Sequence, residues 1–519
     1  MIPLAALSGP LPKAGVVAVA LVVAITLLHS DARARAGAVL GALVLASALL
    51  LADIWHSPQL SIIHRHPAFA AAIAVAGLLV VAGLAVLIWR RPALLAPLVL
   101  IAIPFRVPIA AGGTTSNLLV PLYLVVGAGA LAFIVPALRG RGASSSGSSA
   151  DGLVEEPPPA GWVERLLALY VVLYAVQAIY SPDFEKALQQ MVFFYVPFAL
   201  LFCLLRRLRW TPVLLRRCLV VIVGLALLLA AVGFVEYGTK TLFLNPKLIA
   251  ENNVHTYFAI NSVFLDADIF GRFLALVMIL LAAVLLYSRR RRAQLEATGA
   301  LAVLWAGLVL TLSRSSLAAL LVGLGILGAM RWRARPILFV AVAVAIAGIV
   351  AVVVSPNTFG LNQGLNGASS GRAGLVGGGT QLFGERLVWG YGSGSFETEY
   401  HRIHPASSLT ASHTIAITIA AEQGLIGELV YLALVITAAV VLVRGARAEP
   451  ARAAIAAAFL ALVFHTLLYA DFLEDPEMWT LLGIGTALAY AARSARARQT
   501  VSSANDRSSI AATAPGTVA

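Results

Sequence analysis

The chain has 519 residues, 60% of them hydrophobic and only 12% charged, with a formal net charge of +13. Soluble globular chains carry about 25% charged residues; that figure and the mean hydropathy of +0.91 exclude a large cytosolic enzyme. The excess of arginine falls mainly in short loops between apolar runs, as expected of cytoplasmic loops of a membrane protein, so it reads as topology and not as a nucleic-acid footprint.

Runs of the roughly 20 apolar residues needed to cross a bilayer core recur about fifteen times. The expected fold is therefore an all-α polytopic transmembrane bundle with one large extracytoplasmic loop. The first run, 15–28, lacks a basic leader and reads as an anchor, not a cleaved signal. Runs at 36–54 and 68–89 follow. The fourth, 93–109, contains Pro97, Pro104 and Pro108 and is expected to be kinked or broken. A fifth, 118–138, closes an N-terminal unit, 1–138. Segment 139–161, rich in Ser and Gly and then in acid and proline, reads as a flexible cytosolic linker.

A core unit, 162–491, carries the remaining spans. Arginines cluster after spans one, three, five, seven, nine, eleven, thirteen and fifteen, which places the N-terminus outside and the C-terminus in the cytoplasm. Cys203 and Cys218 flank an Arg-rich loop on the cytosolic side, where a disulfide is not expected. The tail 492–519, rich in Ser, Ala and Thr, reads as disordered. Two polar loops face outward, 236–270 and 355–412. Segment 412–443 is too long for one perpendicular span, so a short outer helix is expected to meet the span near Gly424 or Gly427.

The outer loops hold Arg272, Arg314, Arg372, Arg386 and Arg402 with His401, His404 and His413. Outer short loops normally avoid arginine, and the planar guanidinium fork matches phosphate oxygens; snorkelling to headgroups explains Arg272 or Arg314 equally well. His413, at a helix start near the membrane surface, suits a general base, although on spacing alone a solvated loop histidine is the first reading. His401 and His404 are rival bases, and their spacing also fits half a metal site. Asp266 and Asp268 read as a polar loop edge or as paired ligands of a divalent cation. The glycines at 377–379 and 390–394 read as flexible loop, with close approach to a ligand as the alternative.

Three stretches carry a family resemblance: TLSRSSLAALLVG, GRAGLVGGGTQLFGERLVWGYGSGSFETEY and SHTIAITIAAEQGLIGELVYL, with FLDADIFGRFLAL a weaker fourth. They resemble the O-antigen ligase/polymerase superfamily, enzymes that move lipid-linked glycans, over roughly 162–491. The resemblance implies a plasma-membrane glycosyltransferase of cell-surface polysaccharide assembly. It implies inverting transfer from an undecaprenyl-pyrophosphate-linked glycan to a glycan or lipid acceptor, without metal or other cofactor. His413 would take the acceptor proton, Arg314 and Arg372 would hold the pyrophosphate, and Arg272 and Glu422 would assist in substrate binding. Thr414 stands where the family usually has Asn, and 382–389 departs from its usual Pro-Leu wording. Two rivals stay open. One is a metal-dependent transferase using polyprenyl-phosphate sugars with Asp266 and Asp268 as ligands; the other is a non-enzymatic lipid-glycan transporter, whose usual repeats and midplane charges are not seen.

Overall fold

A computed structural model of the protein describes residues 9–54, 67–111, 114–138, 159–243, 258–332, 372–405, 412, 414–469 and 473–512. It is almost wholly helical. In chain order the helices are α1 (Pro10–Leu28), α2 (Ala32–Ile54), α3 (Pro67–Arg90), α4 (Leu95–Ala102), α5 (Val120–Leu138), α6 (Trp162–Ala178), α7 (Phe184–Gln190), α8 (Val196–Arg206), α9 (Pro212–Thr239), α10 (Ala267–Tyr287), α11 (Arg291–Leu310), α12 (Arg314–Arg331), α13 (Arg372–Glu385), α14 (Phe396–Ile403), α15 (Ile415–Val443), α16 (Pro450–Thr466) and α17 (Pro476–Ala512). Among the described residues ten helices are long and apolar enough to cross a membrane, with two shorter apolar helices beside them. The expected span at 336–354 and most of the linker 139–161 lie outside the described residues.

The helices alternate in direction between two chemically different ends. One is basic: Arg206, Arg289, Arg331 and Arg444 fall at or just past the helix termini there. Arg331 Nε donates to the Leu286 carbonyl at 3.0 Å and ties the ends of α12 and α10 together. The other end is mixed in charge and gathers the caps. Asp266 caps α10 and Ser313 caps α12 through the amides of Asp268 and Ser316, the side-chain oxygens satisfying donors that the first helical turn leaves open. Helix α10 is the most enclosed span, with 78% of its apolar window buried, against 11% for α3 at the periphery.

Four local features depart from the expected pattern. Residues 492–512, expected to be a disordered tail, continue α17 as helix. The fourth run is not a kinked span. Helix α4 stops at Ala102 and the chain turns into an antiparallel hairpin that pairs Val107 with Leu118 and Pro108 with Asn117. Proline removes an amide and disfavours helix in the residue before it, so Pro104 and Pro108 together end the helix. Helix α10 begins five residues before Arg272, which therefore sits inside the bundle, not at a loop edge. The glycines at 377–379 belong to α13, where a Cβ on Gly378 would lie 2.5 Å from the Tyr400 ring and one on Gly379 2.3 Å from Ile417. They let a helix pack closely, and no loop is formed.

The break expected near Gly424 is present. Gly424 has φ 65° and ψ −165°, so a short helix, 415–423, meets the spanning part of α15 there.

Candidate active site at the mixed-charge end

At this end α10 and α12 start, α16 ends and α17 starts, and their polar residues interlock. Ser313, the cap of α12, donates to Asp268 Oδ1, and Ser315 reaches the same oxygen at 3.1 Å. Ser316 Oγ donates to the Asp268 carbonyl at 3.0 Å and lies 3.4 Å from His465 Nε2. The Ser-Arg-Ser turn therefore clamps α12 onto α10, while Arg314 between the serines is turned out and exposed. Tyr469 donates to Asp266 Oδ2 at 2.9 Å. Two residues earlier, the Leu467 carbonyl accepts from Thr414 Oγ1 at 3.0 Å. Asp266 and Asp268 thus both take protein donors, one as a helix cap and the other as the serine acceptor.

Arg272 lies behind this clamp, 1% exposed. Its Nη2 is 2.7 Å from Asp475, just ahead of α17, and its Nε is 3.5 Å from Glu477 on the first turn of α17, both buried. A buried guanidinium is tolerated only when such partners neutralise it. The adjacent Glu474 accepts from Gln190 Nε2, and Gln190 accepts from Tyr174. Gln190 precedes a π-helical turn, Met191–Tyr195, that interrupts the span between α7 and α8. Such bulges insert one extra residue and re-aim side chains; here Tyr195 packs 4.5 Å from Tyr174, centroid to centroid.

A second knot holds the loop between α13 and α14. The Glu422 carboxylate accepts from the Gly394 amide at 2.9 Å and the Phe396 amide at 3.0 Å. Gly392 donates to the Glu422 carbonyl at 2.7 Å, and Leu425 donates to the Leu387 carbonyl at 2.8 Å. Gln177 donates to the Gln423 carbonyl at 3.0 Å and thereby fastens the kink to α6. Gly390, Gly392 and Gly394 all have positive φ, the region that L side chains avoid. The glycine-rich stretch is therefore a rigid turn wrapped on Glu422. On its outer side Arg402 bridges Glu385 at 2.8 Å and Glu399 at 2.6 Å, and Tyr391 donates to Glu385. The Tyr391 bond first, and then the Arg402 bond, hold the Glu385 carboxyl below its ordinary value of 4.5.

A separate open cleft of about 450 Å³ is lined by Tyr180, Arg386, Leu387, Val388, Trp389 and Gly390.

The sequence candidates fall in different settings. Arg314 is exposed at the start of α12. Arg272 is internal and matched by carboxylates, and Glu422 is engaged by backbone amides. Arg372 opens α13, with its side chain outside the described residues, and His413 lies outside them altogether, between the described Ser412 and Thr414. His404 packs beside the Tyr400 ring at 4.9 Å. Sequence reading did not single out Asp475, Glu477, Gln190, Tyr174 or His465. One signal was available: three acids around Pro476 ahead of an apolar run mark a helix start.

A family model described as O-antigen ligase matches residues 298–432. Over that segment the chain is similar to O-antigen ligases. The ligase segment runs from within α11 into α15 and contains Arg314, Arg372, His413 and Glu422; Arg272 lies ahead of it. No curated protein matches the chain. The ligase segment lies among apolar helices of the number and length found in multi-pass membrane proteins.

Proposed function

We propose that the protein transfers a glycan from undecaprenyl pyrophosphate to an acceptor hydroxyl at the outer face of the plasma membrane, by a single inverting displacement without a metal. The acceptor oxygen forms a bond to the anomeric carbon while the bond from that carbon to the pyrophosphate oxygen breaks. His413 takes the acceptor proton, and the departing pyrophosphate gains negative charge. Arg314 and Arg372 hold its oxygens and offset that charge, since preorganised donors are most effective where charge develops. Arg272 and Glu422 act one layer further in. Arg272 orients the α10–α17 contact, and Glu422 fixes the glycine turn beside the short helix that follows His413. The mixed-charge end is taken as extracytoplasmic because the opposite end concentrates arginine.

The observation that carries this reading is the bonded path from Thr414 through the Leu467 carbonyl, Tyr469 and Asp266 to the turn that presents Arg314. It ties the neighbour of His413 to the neighbour of Arg314 at one end of the bundle.

The donor side is tested in proteoliposomes with a lipid-pyrophosphate glycan. Arg314→Ala is expected to slow transfer by about 10²–10³-fold, the usual loss for one charge-stabilising donor, while the protein elutes and melts as wild type. The product is expected to show inverted anomeric configuration. Retained configuration, or Arg314→Ala transfer at the wild-type rate, would overturn the scheme.

A further inference from the structure

At the basic end, remote from the ligase site, a small recess of about 30 Å³ lies where α1, α2 and α8 meet; Thr26, Ser30, Arg35, Cys203, Arg206 and Arg207 are among its lining residues. We propose that this recess binds the phosphate of an anionic lipid headgroup in the leaflet at that end, with Arg207 as the principal ligand and Arg35 and Arg206 as its flanks.

Three guanidinium groups line the recess. Arg206 pairs with Glu164 at 3.0 Å and donates to the Pro159 carbonyl at 3.3 Å. Arg35 donates to the His29 carbonyl at 2.7 Å and to the Ser30 carbonyl at 3.3 Å, closing the end of α1. Asp31 is the other nearby carboxylate, and it accepts from the Ala34 amide at 2.7 Å as a cap for α2. Arg207 is left over. Its guanidinium lies 3.7 Å above the Phe133 ring of α5. Among the described residues it donates to no acceptor, and its Nη1 is shut off from solvent. Burial first, and then the neighbouring Arg35, push Arg207 down to about 10. Arg207 thus lines the recess with no carboxylate partner among the described residues and packs over an aromatic ring, and its planar fork is of the kind that suits phosphate oxygens.

Size and position select the class of ligand. The recess admits phosphate oxygens but not a sugar or a base. It opens where α1 and α8 end, next to Leu27 and the exposed Leu28, which is the depth of a lipid headgroup. A diester phosphate anchored to acyl chains can reach it from the bilayer, and polybasic sites on that face gain from anionic lipid.

The full-length chain in neutral detergent, melted in the presence of phosphatidylglycerol or phosphatidylcholine mixed micelles, tests this. Phosphatidylglycerol is expected to raise the unfolding midpoint saturably, as binding to the folded state requires, and phosphatidylcholine is not. Arg207→Gln is expected to raise the half-saturating phosphatidylglycerol concentration about tenfold or more, as when a hydrogen bond to a charged group is lost. Arg209→Gln, an exposed arginine at the same end, is expected to leave it unchanged. If Arg207→Gln fails to fold, Arg207→Lys carries the test, because it keeps the charge, loses the fork and must still weaken the response. Equal effects of the Arg207 and Arg209 variants would overturn the proposal, as would no preference for phosphatidylglycerol. Inorganic phosphate reproducing the full shift would overturn the lipid as the source.

Discussion

Two arginines that look alike in the sequence have opposite physical roles. Arg272 is enclosed and held between Asp475 and Glu477, whereas Arg314 is exposed on the serine clamp. Removing one member of a buried ion pair leaves the other charge uncompensated, at a cost of about 3–5 kcal/mol. Arg272→Met is therefore expected to lower the denaturation midpoint in detergent sharply. Arg314→Ala should stay within about 0.5 kcal/mol of wild type, as is usual for exposed positions. Equal midpoints for the two variants would refute the distinction. That Arg272 needed explaining was legible in the sequence, because a charge beside an apolar run is costly. Its partners were not, because about 200 residues separate them from it and only the return of α17 brings them near.

Glu385 supports a prediction about acid. Its folded value is lowered by Tyr391 and then Arg402, so the stabilisation it provides is present above the ordinary carboxylate value and is lost as pH falls through the folded one. Below the ordinary value of 4.5, amide exchange in 386–402 is expected to quicken progressively. In Glu385→Gln it should be fast at neutral pH already and nearly independent of pH. An unchanged exchange profile in that variant would remove Glu385 from the loop's anchoring.

At the scale of elements, the kink in α15 and the glycine turn are one device. A Cβ on Gly424 would lie 2.3 Å from the Val388 carbonyl oxygen, and one on Gly390 would lie 2.3 Å from the Glu422 carbonyl oxygen. Each glycine presses on the backbone of the other segment and each has positive φ, so alanine there meets both a clash and a disfavoured conformation. Gly424→Ala is expected to cost more than 1 kcal/mol and to disorder the turn; Gly377→Ala, on an open helix face, should be neutral or stabilising by about 0.4–1 kcal/mol. Denaturant titration with limited proteolysis of the turn reads both, and a silent Gly424→Ala would break the account of this junction. The length of 412–443 was enough to expect a break. It could not show which loop the break would interlock with, because hydrophobic pattern carries no record of a carbonyl from another segment. The fourth run misled for a related reason: its prolines announced an interruption, but hydropathy could not distinguish a kink from a hairpin.

Across the whole molecule, the helical membrane bundle was legible because apolar length is a strong constraint in a bilayer. Charge asymmetry between the two ends carries the orientation proposed above. A background lacking Cys203 and Cys218 provides the check. Glu397→Cys is expected to react with a membrane-impermeant maleimide in intact cells, and Arg290→Cys only after permeabilisation. The reverse pattern would place the ligase segment's polar end in the cytosol and remove the outer-face site. The site was legible only as isolated residue types, since Arg272, Glu474, Gln190 and Tyr174 come from three separate helices and the turn ahead of α17. The most direct measurement is the single-turnover transfer rate of purified His413→Ala in proteoliposomes with saturating lipid-pyrophosphate donor. The account predicts a loss of about 10²–10⁴-fold, the usual contribution of a positioned base, with folding and donor binding retained; transfer at the wild-type rate would contradict it.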